Sequence, residues 1–284
     1  MNAASLRPQL RYCEVESDRL SLDRFPDFLI VGPQRTGTTW LHQILRKHPE
    51  VFLADPKEIF FFSRLKMRES PKFESARLDW YLAHFHDDFT RWARKQVRSL
   101  VRFHAPYRPR IRGEATASYA ALDPDVIREV ALLDPGVKIL LMVRHPVERA
   151  WSHAKKDLAR NRGRGAADIP DSEWKAFFRD PYQLRCARYE ENIANWSGAV
   201  GAANVFVGTF EQVQEQPAEL LGRVTRFLGV SDDPRFVDPE LLRSQVNPAG
   251  GSEVPARFRA DLEELLRDEI EGWKRVVARV SRGS

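Results

Sequence analysis

Two glycines, Gly32 and Gly37, flank a four-residue gap in FLIVGPQRTGTTW, residues 28–40, directly after the apolar run Phe28 to Val31. A buried strand, a glycine turn and a helix start, in that order, can hold a phosphate. Backbone N–H groups converge on the anion, and the helix dipole favours its charge. The glycine spacing equals that of a Walker A loop, but Thr38-Thr39 stand where that motif has Lys followed by Ser or Thr. The loop is therefore expected to bind phosphate, and not in the manner of an ATPase. A second cluster supports this. The run VKILLMV, residues 137–143, ends in Arg144, where a nucleoside triphosphatase would carry an Asp for Mg²⁺. An arginine fork suits a bare phosphate. Ser152 follows on the helix that Pro146 begins; at roughly 100° per residue it falls within about 80° of the helix's starting face. An extended Arg144 and a helical Ser152 can grip one phosphate from two sides. Alone, they would read as a surface arginine and a solvent serine.

The elements that must position these residues follow from periodicity. After the loop, Trp40, Leu41, Ile44 and Leu45 mark one apolar side of a helix closed by Pro49. Short strands are expected at 51–53, 111–116 and 204–210, besides the buried run at 137–143. Helices are expected at 76–89, from Leu78, Tyr81, Leu82 and Phe85, at 147–160 and at 217–228, the last stopped by Gly229. Tyr189, Ile193, Trp196 and Val200 mark another, and Leu262 to Val280 a long closing one. Residues 161–171 and 246–255 read as glycine-rich loops. Strands alternating with helices give an α/β fold with a single domain, a central mainly parallel sheet and helices on its faces. Residues 1–24 read as a polar, irregular N-terminal arm and residues 25–284 as the domain.

Composition bounds the rest. The chain has 284 residues, 43% of them hydrophobic and 30% charged, which suits a soluble globular surface over a real core. The net charge of +5 makes anionic ligands plausible without pointing to nucleic acid. The segment from Arg91 to Arg112 has eight Arg or Lys residues and no acid; it reads as a solvated face, or alternatively as a surface meeting an acidic substrate. No run approaches a transmembrane length, and the first residues lack the apolar core of a signal peptide. Cys13 and Cys186 have neither metal spacing nor disulfide numbers, and the expected setting is reducing and cytoplasmic.

Two phosphate sites without a magnesium carboxylate fit a nucleotide phosphorylated at both ends of its ribose. Here the residues resemble a known family. FLIVGPQRTGTTWL is similar to the 5′-phosphosulfate loop of sulfotransferases, and LLMVRHPVERAWSH to their 3′-phosphate motif, with the same spacing from Arg144 to Ser152. KEIFFF, WYLAHF and GEATASY resemble the carbohydrate branch, which includes the heparan sulfate enzymes. The resemblance runs from about Phe28 to Leu228. It implies a P-loop-like fold and 3′-phosphoadenosine 5′-phosphosulfate (PAPS) as donor, leaving PAP, with no metal. The acceptor it implies is a carbohydrate, glycolipid or natural product.

It also implies roles. Arg35 stands where the family usually has Lys and would face the oxygen bridging phosphate and sulfate. Arginine stays protonated at neutral pH, so it would stabilise charge rather than donate a proton. Thr36, Gly37, Thr38 and Thr39 would hold the 5′-phosphate, Arg144 and Ser152 the 3′-phosphate. Trp40 would stack near the adenine or pack in the core. Glu58, ahead of Ile59-Phe60-Phe61-Phe62, is the expected general base, its pKa raised by aromatic surroundings; its simpler reading is a carboxylate paired with Lys57. Among the histidines, His84, His86 and His104 are rivals, with His86 the first alternative. Glu114 and Tyr119 would approach the acceptor, and Arg257 and Arg259 would cover the 3′-phosphate or remain helix-surface charges. A P-loop nucleotide kinase and a non-catalytic nucleotide binder are the competing functions.

Overall fold

The computed structural model describes residues 3–243 and 253–282. Five short, apolar segments pair into one sheet: β1 (Phe28–Ile30), β2 (Val51–Leu53), β3 (Ile111–Ala115), β4 (Lys138–Val143) and β5 (Val205–Thr209). Their order is β2-β3-β1-β4-β5, and every pairing is parallel. Parallel strands need crossovers and both faces covered. The helices that do this are α1 (Thr38–Leu45), α2 (Phe89–Phe103), α3 (Pro124–Leu133), α4 (Pro146–Ala154), α5 (Tyr189–Val200), α6 (Pro217–Leu228), α7 (Ala256–Leu265) and α8 (Arg267–Arg282).

Strand residues alternate between two cores, as a period of two requires. Leu29, Ile139, Leu141 and Val143 face Val126 and Val130 of α3 and Trp196 of α5. Phe28, Ile30, Leu140 and Met142 face Leu41 and Ile44 of α1 and Leu220 and Val224 of α6. A third cluster joins Trp151 of α4 to Trp174, Phe178 and Phe258.

Register sets the functional edge. Ile30 lies opposite Leu140, and the Val31 N–H donates to the Leu140 carbonyl at 2.9 Å. A Cβ on Gly32 would sit 2.5 Å from the Met142 nitrogen, so only glycine lets the chain leave β1 against β4. The loop after β1 and the residues after β4 thus emerge side by side at the carboxyl edge, where parallel α/β sheets bind ligands.

Several elements differ from the sequence reading. The helix expected at 76–89 covers only Leu78–Leu82, because Asp88 caps a new helix by accepting from the Arg91 N–H at 2.8 Å. After Ala154, α4 passes into a π turn at Lys155–Ala159 instead of running straight to 160. The closing helix is two. Phe258, Leu262 and Leu266 pack on the Trp151 cluster, Trp273, Val276 and Val280 on the Trp196 cluster, and the axis breaks between them. The N-terminal arm is anchored on the domain: Leu6, Cys13, Val15 and Leu22 are buried in the Trp196 core, and the N–H groups of Arg11, Tyr12 and Cys13 donate to the Glu129 carboxylate. The loop read at 246–255 falls largely outside the described residues. Among the described residues no helix is long and apolar enough to cross a membrane.

The β1–β3 contact is tight enough to test. The Phe28 ring lies over Gly113, where a Cβ would come within 2.4 Å of Cζ. Gly113→Ala is expected to lower stability by about 1–3 kcal/mol through overpacking, read as a fall in the urea midpoint at unchanged slope.

Candidate active site

The loop is braced from within. Thr36, fully buried, donates its hydroxyl to the Pro33 carbonyl at 2.7 Å. Gln34 exchanges hydrogen bonds with the Tyr182 hydroxyl at 2.6 and 2.9 Å. Arg35 and Gly37 both take left-handed backbone conformations, φ 75° and 98°. Alternating such residues with ordinary ones turns successive N–H groups to one side, the geometry of an anion nest. Gly37 caps α1 without a side-chain hydrogen bond, so the first N–H groups of α1 remain for an anion. Thr38 is buried there and Thr39 is exposed.

The two motifs meet directly. Arg35 Nε donates to Ser152 Oγ at 2.8 Å, and Arg144 Nη1 donates to the Arg35 carbonyl at 3.2 Å. Arg144 is itself held: its guanidinium lies 4.2 Å from the centre of the Phe210 ring, and its carbonyl accepts from the Tyr189 hydroxyl at 2.7 Å. Burial lowers the pKa of Arg35, and the charges of Arg144 and Arg160 lower it further. Burial likewise lowers Lys155, with Arg35 and Arg144 adding to the effect. Arg144 is lowered chiefly by burial, against opposing help from Glu148 and Glu211. Four cations therefore press on one another around Ser152. Such a cluster is an electrostatic match for a polyanion.

Lys155 and Arg160 escaped the sequence reading. Lys155 carries a signal, being three residues past Ser152 and so on the same helix face. Arg160 carries none, because the π turn that brings it round leaves no trace in spacing.

Glu58 stands at the same edge, since its N–H donates at 2.9 Å to the carbonyl of Ala115, the last residue of β3. Its backbone is left-handed, φ 66°, as is that of Phe60. With Arg35, these account for all but one of the positive-φ non-glycine residues described, the other being His104; backbone strain of this kind gathers at functional sites. Glu58 is ion-paired with Lys57 at 2.7 Å. The aromatic run does not surround it. Phe61 and Phe62 turn inward onto Tyr81.

The carboxyl that does sit among the rings is Glu114, 1% exposed, accepting from Tyr81 at 2.5 Å and Thr116 at 3.0 Å. Burial raises its pKa to about 7, with a further push from Glu58 and opposition from its hydroxyl donors. Glu114 and Tyr119 were expected to approach the acceptor. Both are buried instead, Tyr119 accepting from the Phe62 N–H at 3.2 Å, and they brace the segment that carries Glu58.

Other expected residues fall elsewhere. Trp40 is a core residue, 2% exposed, with its ring N–H donated to the Leu241 carbonyl, so no face is left for an adenine. His86 is exposed between Leu78–Leu82 and α2, and α2 reaches the Arg46 carbonyl at the far end of α1 through Arg98. His84 is bonded to the carbonyls of Trp80 and Tyr81, and His104 caps α2. Arg257 pairs with Asp171, and Arg259 with Glu148 and Glu263. Among the described residues no three His, Cys, Asp or Glu side chains converge as a metal set.

Fold and site together define a P-loop-like α/β domain whose phosphate loop shares one surface with a second arginine–serine grip. Residues 26–234 match the model of the family described as "Sulfotransferase family", and the chain belongs to that family. It is 25% identical over 230 residues to the human bifunctional heparan sulfate N-deacetylase/N-sulfotransferase 2, covering 78% of this chain and 24% of that protein. The mouse bifunctional heparan sulfate N-deacetylase/N-sulfotransferase 1 is 28% identical over 238 residues, with the same coverage of 78% and 24%. The chain thus spans about a quarter of the length of these curated relatives. A solved sulfotransferase from Alicyclobacillus acidocaldarius shares the fold at a TM-score of 0.60 and 24% identity, covering 90% of this chain and 96% of that one.

The buried Glu114 gives a pH signature. Between the ordinary value of 4.5 and about 7, the folded chain keeps a proton that the unfolded chain has lost. Stability therefore falls as pH rises through that window, by at most about 3 kcal/mol from this group. His42 and His153, held down to about 4 chiefly by burial, act in the opposite sense as pH falls below 6.5. Comparing urea midpoints of wild type and Glu114→Gln at pH 5 and pH 8 isolates the carboxyl. The variant is expected to lose less stability on going to pH 8; equal losses would place the effect on other groups.

Proposed function

We propose that the chain transfers a sulfuryl group from PAPS to a hydroxyl or amine of a carbohydrate or glycoconjugate, without a metal. The observation that carries this reading is the direct join of the two motifs. Arg35 bonds Ser152 and is in turn bonded by Arg144, so one cationic surface can take both phosphates of one nucleotide. The donor set fits such a molecule: backbone N–H groups at Thr36 to Thr39 for one end, and an arginine and a serine hydroxyl for the other. Arg144 directly follows β4, where a magnesium-dependent enzyme would carry an acid. The donor would supply an activated sulfuryl group on its 5′-phosphate.

This chain's residues then have distinct tasks. The N–H groups of Thr36 to Thr39 orient one phosphate, and Arg144 and Ser152 bind the other. Arg35, with Lys155 and Arg160 nearby, stabilises negative charge on the departing phosphate. Arg35 holds its proton throughout. Glu58 takes the acceptor's proton, while Glu114 is enclosed with both oxygens engaged and serves as a brace.

An open cleft of about 470 Å³ adjoins Gln34 of the loop and Phe60, with Arg64, Lys66, Lys72 and Arg185 in its lining. Asp123 also lines it and pairs with Lys66 and Arg185, leaving the lining net positive; that charge suits an anionic sugar, which agrees with relatives named for heparan sulfate. Residues 25–284 would form the catalytic unit, with Leu6, Cys13, Val15 and Leu22 of the preceding arm packed into its core. A reducing, cytoplasmic setting is part of the same proposal.

Incubation with donor and an oligosaccharide panel is expected to add one SO₃ to an acceptor, read by mass spectrometry. Glu58→Gln should cut this transfer by roughly 10²–10⁴-fold with nearly unchanged affinity for PAP. Full activity in Glu58→Gln together with loss in His86→Ala would move the base to the histidine.

A further inference from the structure

Helix α2 is mounted with its apolar stripe outward. Six large hydrophobic residues are strongly exposed among the described residues, and five belong to this one helix: Phe89, Trp92, Val97, Leu100 and Val101. At roughly 100° per residue, Phe89, Ala93, Val97, Leu100 and Val101 fall within an arc of about 120°. Phe89, Val97 and Val101 are 80%, 61% and 74% exposed. The opposite side holds the helix down, largely through polar groups. Lys95 reaches Asp87 at 2.8 Å and lies 4.5 Å from the centre of the Phe52 ring; Ser99 donates to the Ala105 carbonyl at 2.7 Å. A helix with free choice of face would bury its apolar side. Here the protein's own contacts use the polar side and leave the stripe for something else.

The charges flanking the stripe say what. Arg94 lines one edge, with Arg91 beyond it beside the helix-capping Asp88, while Arg98 between them turns inward to the Arg46 carbonyl; no acid occurs from Phe89 to Arg112. The Phe89 and Trp92 rings pair at the N-terminal end, centroids 6.0 Å apart. A basic flank beside an aliphatic stripe with terminal aromatics is the composition of a helix that lies in a bilayer interface. A second copy is a poorer match, because antiparallel two-fold pairing through the stripe would set both arginine rows on the same edge with no acid on either helix to answer them. We propose that α2 docks the protein on an anionic lipid surface, with the stripe in the acyl boundary and the arginines at the headgroups.

Cosedimentation with vesicles tests this on the full chain. Binding to phosphatidylcholine vesicles containing phosphatidylglycerol is expected to exceed binding to phosphatidylcholine alone by roughly tenfold or more, and to weaken with salt. The double variant Val97→Asp/Val101→Asp should lose that binding, and Arg94→Glu should reduce it several-fold, each with an unchanged circular dichroism spectrum and thermal midpoint. Wild-type binding no better than to neutral vesicles would overturn the proposal, as would a double variant that binds like wild type. So would a concentration-dependent dimer dispersed by Val101→Asp without any vesicle binding, which would assign the stripe to a second copy.

Discussion

The parallel pairing of β1 with β4, and the glycine that lets the chain leave β1 in contact with β4, is the constraint on which the site depends. Residues 35 and 144 are far apart in sequence. They become neighbours because Ile30 and Leu140 are register partners and both strands end at the same edge. Given that edge, the loop cannot avoid the helix that follows β4, and Ser152, on its buried side, receives the Arg35 side chain. No contact between the two motifs has to be specified separately. A one-residue slip of β4 would move Met142 off Gly32, reverse which strand residues face which core, and separate Arg144 from Arg35.

This arrangement carries a cost in the protein itself. Arg35, Arg144, Lys155 and Arg160 repel one another in a partly buried setting, and the backbone at Arg35, Glu58 and Phe60 sits in a region that residues other than glycine avoid. Both costs lie at the sheet's carboxyl edge. They are offset by what surrounds them: the phenol of Tyr189 on the Arg144 carbonyl, the Phe210 ring against its guanidinium, and the enclosed Glu114–Tyr81–Thr116 set beneath the Glu58 segment. A site assembled in this way binds negative charge without having to rearrange, the condition under which electrostatic stabilisation is strongest.

Much of this was legible in the sequence. Apolar runs at 28–31 and 137–143 could be read as buried strands, and the Gly32/Gly37 spacing and the Arg144–Ser152 interval pointed to phosphate before any fold was known. What was not legible depended on tertiary context. Trp40 has the composition of a ligand-stacking residue, yet a short helix at Pro239–Arg243 takes its ring N–H. Aromatic neighbours in sequence suggested that rings surround Glu58, but Phe61 and Phe62 turn away onto Tyr81, whose hydroxyl donates to Glu114, a residue far along the chain. The closing helix kept helical periodicity across Leu266, and only the two separate cores it touches show why it breaks. The basic run from Arg91 read as a solvated face. Its apolar residues could not be assigned inward or outward until Lys95 and Ser99 were seen holding the helix from the other side.

Whether one surface takes both phosphates of one nucleotide is decided by isothermal titration calorimetry. Adenosine 3′,5′-bisphosphate, adenosine 5′-monophosphate and Mg·ATP would each be titrated into wild type and Arg144→Ala. The bisphosphate should bind wild type at least roughly tenfold more tightly than the monophosphate, the worth of a charge-assisted grip on a second phosphate. Arg144→Ala should remove most of that difference while leaving the monophosphate nearly unaffected. Equal affinity for the two adenosine ligands in wild type, or tight binding of Mg·ATP alone, would contradict the account.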